Sequence, residues 1–255
     1  MMIQRRQIDP PHVAMYPDHG WQTSGQVQRQ PAIATRNTMS DSIAHAIEHV
    51  RQQIRAAEAA AGREAGSVSL LAVSKTFPAS AVQQAYAAGQ RAFGEHYVQE
   101  LQAKAVELAA LDIEWHFIRP LQSNKTRIEL PSVCPSSGRD SLPPLQVCVQ
   151  VNVSGEASKS GCAPQEARAL ALAVAALPRL QLRGLMCIPE PTEDAARLAA
   201  QFALLRQLQN ELRKDGLTLD TVSMGMSADM AQAIAAGSTM VRVGTAIFGA
   251  RHYHS

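Results

Sequence analysis

The sequence predicts an α/β protein built as one TIM-like (β/α)8 barrel, with one strand–helix unit at about residues 129–145 reduced or missing. Three observations carry that prediction. Short apolar runs alternate with amphipathic segments from Ser40 onward. No hairpin signal joins two apolar runs, so the strands are expected to be parallel and linked by crossover helices. The chain has 255 residues and is 46% apolar, which suits one barrel of roughly 250 residues.

The elements follow in order. Ile43, Ile47, Val50 and Ile54 recur at helical spacing, and Gly62 and Gly66 close that segment. Val68 to Val73 reads as a buried strand ending at Ser74–Lys75; Pro78 opens the next helix and Gly89 ends it. Phe93 marks a second strand and Trp115–Ile118 a third. Val147 to Val153 is a fourth, followed by a helix marked by Ala167, Leu170, Val174 and Leu177. Gly184–Ile188 is a strand, and Leu198, Phe202, Leu205, Leu208 and Leu212 mark a helix. Val222–Met224 and Met240–Val243 are the last two strands, with an Ala-rich helix between them stopped by Gly237. That makes seven strands where a closed barrel needs eight. The gap falls at 129–145, where Pro131, Pro135, Pro143 and Pro144 break any period and Val133–Cys134 is the only apolar pair to stand in for a strand. An open doubly wound sheet is the rival, but no GxGxxG follows the first strand.

Residues 1–38 differ from the rest. Pro10, Pro11, Pro17 and Pro31, many Gln and no sustained period predict a disordered extension, and the barrel is expected over 39–255. Met39 followed by Ser40 and Asp41 resembles a helix start, which makes Met39 a candidate beginning of the native chain.

Charge and composition narrow the partners. A net charge of +2, with 4% aromatic residues and no basic–aromatic stretch, argues against nucleic acid or an anionic membrane. No apolar run approaches a membrane span, no secretory leader is visible, and Cys134, Cys148, Cys162 and Cys187 have no metal-site spacing. The expectation is a cytoplasmic monomer with reduced thiols and no bound metal; the eight histidines form no HExxH pattern.

In a barrel the chemistry sits at the C-terminal ends of the strands. Lys75, Glu95, His96, Arg119, Asn152, Pro189 and Glu190 fall there. Desolvation of Lys75 would favour a neutral amine able to attack an aldehyde, although a snorkelling surface lysine is the commoner explanation of its position taken alone. Gly225-Met226-Ser227 precedes a helix expected to begin at Ala228-Asp229-Met230, so Ser227 is either an ordinary N-cap or an anion ligand. In Arg242-Val243-Gly244-Thr245, Gly244 allows close backbone approach and Thr245 adds a hydroxyl and an amide. Arg242 alternates with Val241 and Val243, so it points inward and needs a partner, of which a structural ion pair is one choice. An amine on the first strand beside two phosphate cradles on the last two suits a phosphorylated aldehyde. Trp115 and His116 read as packing and a satisfied hydrogen bond, Ser123-Asn124-Lys125 as a polar loop contact or a helix cap, and Lys159 as a solvated loop group with a second phosphate as the rarer alternative.

Seven stretches carry a resemblance: LLAVSKT (70–76), FGEHYVQE (93–100), WHFIRPLQSNKTR (115–127), QVNVSGEASKSG (150–161), RGLMCIP (183–189), SMGMSADM (223–230) and AAGSTMVRVGTAIFGAR (235–251). Together they resemble the pyridoxal phosphate homeostasis proteins, the YggS/PROSC family. The resemblance implies a barrel like the N-terminal domain of alanine racemase, with pyridoxal 5′-phosphate (PLP) carried as a Schiff base on Lys75. It implies that Ser227, Gly244 and Thr245 hold the phosphate and that Arg242 faces the pyridine nitrogen, keeping it unprotonated. It also implies a role in vitamin B6 balance without established catalysis, with PLP-dependent apo-enzymes as acceptors. The chain departs from that pattern at His96, where the family has asparagine, at Arg119, where it has glycine, and at the missing unit near 129–145. Loss of that unit is expected to leave unpaired strand edges and lower stability. The alternatives are a PLP-dependent racemase-like enzyme, which would need a second acid–base group such as Tyr86, Tyr97 or Tyr253, and a degenerate member that binds nothing.

Overall fold

The computed structural model describes residues 2–4, 38–119, 144–156 and 159–250. Helix α1 (Thr38–Ala60) leads into β2 (Ser69–Val73), α2 (Ala79–Ala87), β3 (Ala92–Glu95), α3 (Val98–Glu107) and β4 (Glu114–Phe117). After residues outside the description come β5 (Leu145–Gln150), a 3-10 turn (Pro164–Glu166), α4 (Ala167–Ala175), β6 (Leu180–Met186), α5 (Ala195–Lys214), β7 (Thr221–Ser223), α6 (Met230–Ala235), β8 (Met240–Val243) and α7 (Thr245–Phe248). Strands β4-β3-β2-β8-β7-β6-β5 run parallel in that order, leaving a gap between β4 and β5. That order is the singly wound order of a barrel and not that of the rival doubly wound sheet.

The gap is spanned by β1 (Met2–Gln4), which the sequence placed in a disordered extension. Its backbone runs antiparallel to both neighbours, with Ile3 opposite Phe117 on β4 and Val147 on β5. The barrel is thereby closed, and the expected open edges of β4 and β5 are paired. The physical reason is that a strand edge is a row of unmet amides and carbonyls, and even a three-residue segment of either polarity can satisfy part of it. Helix α1 also begins one residue before the expected boundary, at Thr38. The rest of the 1–38 expectation, the Val133–Cys134 substitute strand, and Ser123-Asn124-Lys125 lie outside the described residues.

The two-residue period of the strands sorts side chains between two layers. Leu71, Cys148, Met186 and Met240 fill the barrel interior with Ala92 and Ile118. Their chain neighbours face the helices. Leu70, Ala72, Val241 and Val243 pack beneath α1 and α2 with Ile47, Val82 and Ile234. Val147, Val149 and Leu185 pack beneath α4 and α5 with Ala171, Phe202 and Leu205. Buried Glu58 on α1 accepts from the Gly66 and Val68 amides at 3.1 and 2.8 Å, which fixes how the chain enters β2. Among the described residues no helix is long and apolar enough to cross a membrane.

A chain beginning at Met39 lacks β1. It should unfold at lower urea than the full chain, by about 1 kcal/mol for each backbone hydrogen bond to β4 and β5 that is lost. Equal midpoints would show that the pairing contributes nothing.

Candidate functional site

Counting two residues at a time along each strand leads from the interior to one cavity. From Leu71 the same face reaches Val73 and Lys75; from Ala92 it reaches His96; from Met240 it reaches Arg242 and Gly244. Gln150, Met186, Ile188 and Ile118 complete the wall by the same parity, and Ser227, Met226, Thr245, Lys159 and Ser160 close it from the loops. The cavity holds about 450 Å³, within the range of small-molecule sites. All five residues singled out for a cofactor, Lys75, Ser227, Arg242, Gly244 and Thr245, line it.

Lys75 is half-buried on a tight turn. The Phe77 amide donates to the Ser74 carbonyl at 3.1 Å, so Lys75 and Thr76 are the two central residues. Phe77 then packs on Phe248 of α7, ring centres 5.2 Å apart, which ties this turn to the Gly244–Thr245 loop.

Arg242 is 6% exposed, and its inward direction follows the expected alternation. Among the described residues it forms no ion pair. One guanidinium nitrogen donates to the Ser223 carbonyl at 2.8 Å and hydroxyl at 2.7 Å, and another to the Cys187 carbonyl at 2.8 Å. The acceptors are neutral, with Asp229 adding only a more distant attraction. Burial lowers its pKa, yet a guanidinium keeps its proton at physiological pH. A fixed positive charge thus stands in the cavity wall and disfavours protonation of any nearby base.

Gly244 lies where an added Cβ would meet the Val73 carbonyl at 3.1 Å, so the β8 end and the β2 end approach closely beside Lys75. The first amides of α7, at Thr245 and Ala246, have no acceptor within the helix. Ser227 is not a helix cap: α6 begins at Met230, and Asp229 instead accepts from the Met226 amide. The short turn 226–229 outcompetes the expected helix start and leaves Ser227 exposed beside the cavity.

The other residues singled out from the sequence fall as follows. Glu95 faces the helix layer, as odd parity on β3 requires, and is fully buried. It accepts from Ser74 Oγ at 2.6 Å and from Lys104 Nζ at 2.7 Å; burial is the main cause holding its pKa above the usual carboxylate range, against the pull of Lys104. Asn152 organises its own loop by accepting from Ser154 Oγ and the Gly155 amide, and Glu190 pairs with Arg197. Arg119 is half-buried and does not line the cavity. Trp115 packs near Phe93 at 6.1 Å, and His116 bonds Glu114 at 3.1 Å. Burial pushes the Cys148 and Cys187 thiols up to about 12. Among the described residues no cluster of His, Cys, Asp or Glu is suited to a metal ion. Gln150, Met186 and Ile188 were missed because their strands were ended three and two residues late; parity from Cys148 would have found them.

Comparison with known proteins places this geometry. The profile of the alanine racemase N-terminal domain matches residues 46–252. Alanine racemase from Corynebacterium glutamicum shares the fold at 20% identity and a TM-score of 0.55, over 84% of this chain and 62% of that one. PipY from Synechococcus elongatus, solved with PLP bound, is 36% identical with a TM-score of 0.67, over 81% of this chain and all of PipY. The pyridoxal phosphate homeostasis protein of Pseudomonas aeruginosa is 54% identical over 226 aligned positions, spanning 83% of this chain and 97% of that protein. The chain is thus a barrel of the alanine racemase N-terminal type. Within that class it belongs to the pyridoxal phosphate homeostasis protein family. Because 83% of 255 residues is fewer than 226, the relative carries positions with no counterpart here, in keeping with a reduced barrel unit.

Replacing Arg242 with Met removes the donor to the Ser223 hydroxyl and the Cys187 carbonyl, while the Ser223 carbonyl keeps the Cys187 amide. Stability should fall by about 1–3 kcal/mol in urea unfolding, and an unchanged midpoint would show that these bonds are not needed.

Proposed function

We propose that this chain binds PLP covalently through Lys75 and serves as a carrier of the cofactor rather than as an enzyme. The observation that carries the reading is that Lys75, Ser227, Arg242, Gly244 and Thr245 line one cavity although they come from β2, β8 and the loop after β7. The donor set fits the group. An amine suits the aldehyde, a hydroxyl with backbone amides suits the phosphate, and the close approach at Gly244 leaves the backbone uncovered. When bound, PLP supplies an electrophilic aldehyde and an electron-withdrawing ring.

The protein's own contributions are binding and restraint. Arg242, fixed by three neutral acceptors, opposes protonation of a ring nitrogen placed against it and so weakens the ring as an electron sink. Two-sided proton transfer at an amino-acid substrate needs an acid–base group opposite Lys75. Tyr97 does not line the cavity, Tyr86 lies under the Arg91 guanidinium at 3.9 Å, and Tyr253 lies outside the described residues. The reading includes PLP-dependent apo-enzymes as acceptors and a cytoplasmic setting, in keeping with the free Cys148, Cys162 and Cys187.

The test is a visible spectrum of the full chain with PLP, followed by borohydride reduction and peptide mass mapping. A visible band and a reduced adduct on Lys75, both absent in Lys75→Ala, are expected, with no amino-acid racemisation above background. An unlabelled Lys75 overturns PLP binding at this site, and racemisation abolished by Lys75→Ala overturns the carrier reading.

A further inference from the structure

The turn that presents Lys75 is strained and is gripped from one side by a single helix. Thr76 sits at φ +69, a left-handed conformation that costs a β-branched residue energy and that position i+2 of such a turn normally gives to glycine. Such a conformation persists only where the surroundings over-determine it. Here α3 supplies the restraint. Lys104 Nζ donates to the Ser74 carbonyl at 2.9 Å, and Glu100 Oε2 accepts from the Thr76 amide at 3.1 Å. Glu100 and Lys104 are four residues apart, so one face of α3 holds the peptide groups on both sides of Lys75. The Lys104 anchor is itself locked by buried Glu95. The Thr76 contact is the exposed and separable half of the grip.

We propose that Glu100 is a positioning residue for Lys75, holding Thr76 in its left-handed conformation so that the lysine side chain is delivered into the cavity. The inference rests on the reading of Lys75 as the PLP-bearing residue. Without the Glu100 acceptor, Thr76 relaxes toward an ordinary φ, and the amine spends less time where the aldehyde can be held by Ser227, Gly244 and Thr245. Glu100 needs only a lone pair for this role, so its charge is dispensable.

The experiment compares Glu100→Ala, Glu100→Gln and the exposed-site control Val106→Ala on the same helix, all in the full chain. Three quantities are read: amide exchange of the segment containing Thr76 without cofactor, the PLP concentration giving half-maximal reducible adduct on Lys75, and the thermal midpoint without cofactor. In Glu100→Ala, exchange should quicken and half-occupancy should need about fivefold more PLP, the factor that one net hydrogen bond is worth. Glu100→Gln should restore both, and the thermal midpoint should move no further than in Val106→Ala. Unchanged exchange or unchanged half-occupancy in Glu100→Ala overturns the proposal, as does failure of Gln to rescue. A wild-type chain that forms no adduct on Lys75 is a different result, because it overturns the cofactor reading itself and the positioning role with it.

Discussion

The two-residue period of a β-strand, wrapped into a barrel, governs almost everything else in this molecule. Each strand must send alternate residues inward, so Leu71, Cys148, Met186 and Met240 become the interior plug while Leu70, Val149, Leu185 and Val241 become the floor for the helices. The same count, continued one or two steps past the plug, delivers Lys75, His96, Gln150, Ile188, Arg242 and Gly244 to a common cavity. Core and site are thus one pattern. A shift of one residue on β2 would send Lys75 into the helix layer and Leu71 with it.

What the sequence made legible follows from which forces are local. The parallel strands carry short apolar runs, so β2 and β8 were readable almost to the residue. Strand β6 was started late, at Gly184, because Gln181 and Arg183 interrupt its apolar signal, while the backbone ladder to β5 includes Gln181 and passes Arg183 at a bulge. Strand β1 had no signal at all: three residues carry no period, and its pairing with β4 and β5 is a long-range event. In the site, the five cofactor candidates were found because strand ends are where a barrel exposes polar groups, and the family motifs named the same positions. The grip of Glu100 and Lys104 on the Lys75 turn was not legible, since nothing local shows that a helix face will meet a turn some thirty residues earlier.

Two buried charges illustrate different solutions to one problem. Lys104 meets a carboxylate, Glu95, in a dry layer between α3 and β3. Arg242 is equally buried but, among the described residues, is bonded by carbonyl and hydroxyl oxygens. A fully paired charge projects little field, whereas one held by dipoles keeps most of its own. The first therefore acts as structure, and the second keeps an electrostatic influence over the cavity it lines.

Neither buried thiol, Cys148 in the interior plug nor Cys187 in the helix layer, lines the cavity. A thiolate can add to an aldehyde as an amine can, so a reactive cysteine in an aldehyde site would compete. With Cys148 and Cys187 pushed up to about 12, both sulfurs stay protonated and shielded at neutral pH. Cys187 contributes its backbone carbonyl to Arg242 while its sulfur stays inert. Among the residues that line the cavity, an aldehyde would therefore meet amines, those of Lys75 and Lys159, and no thiol.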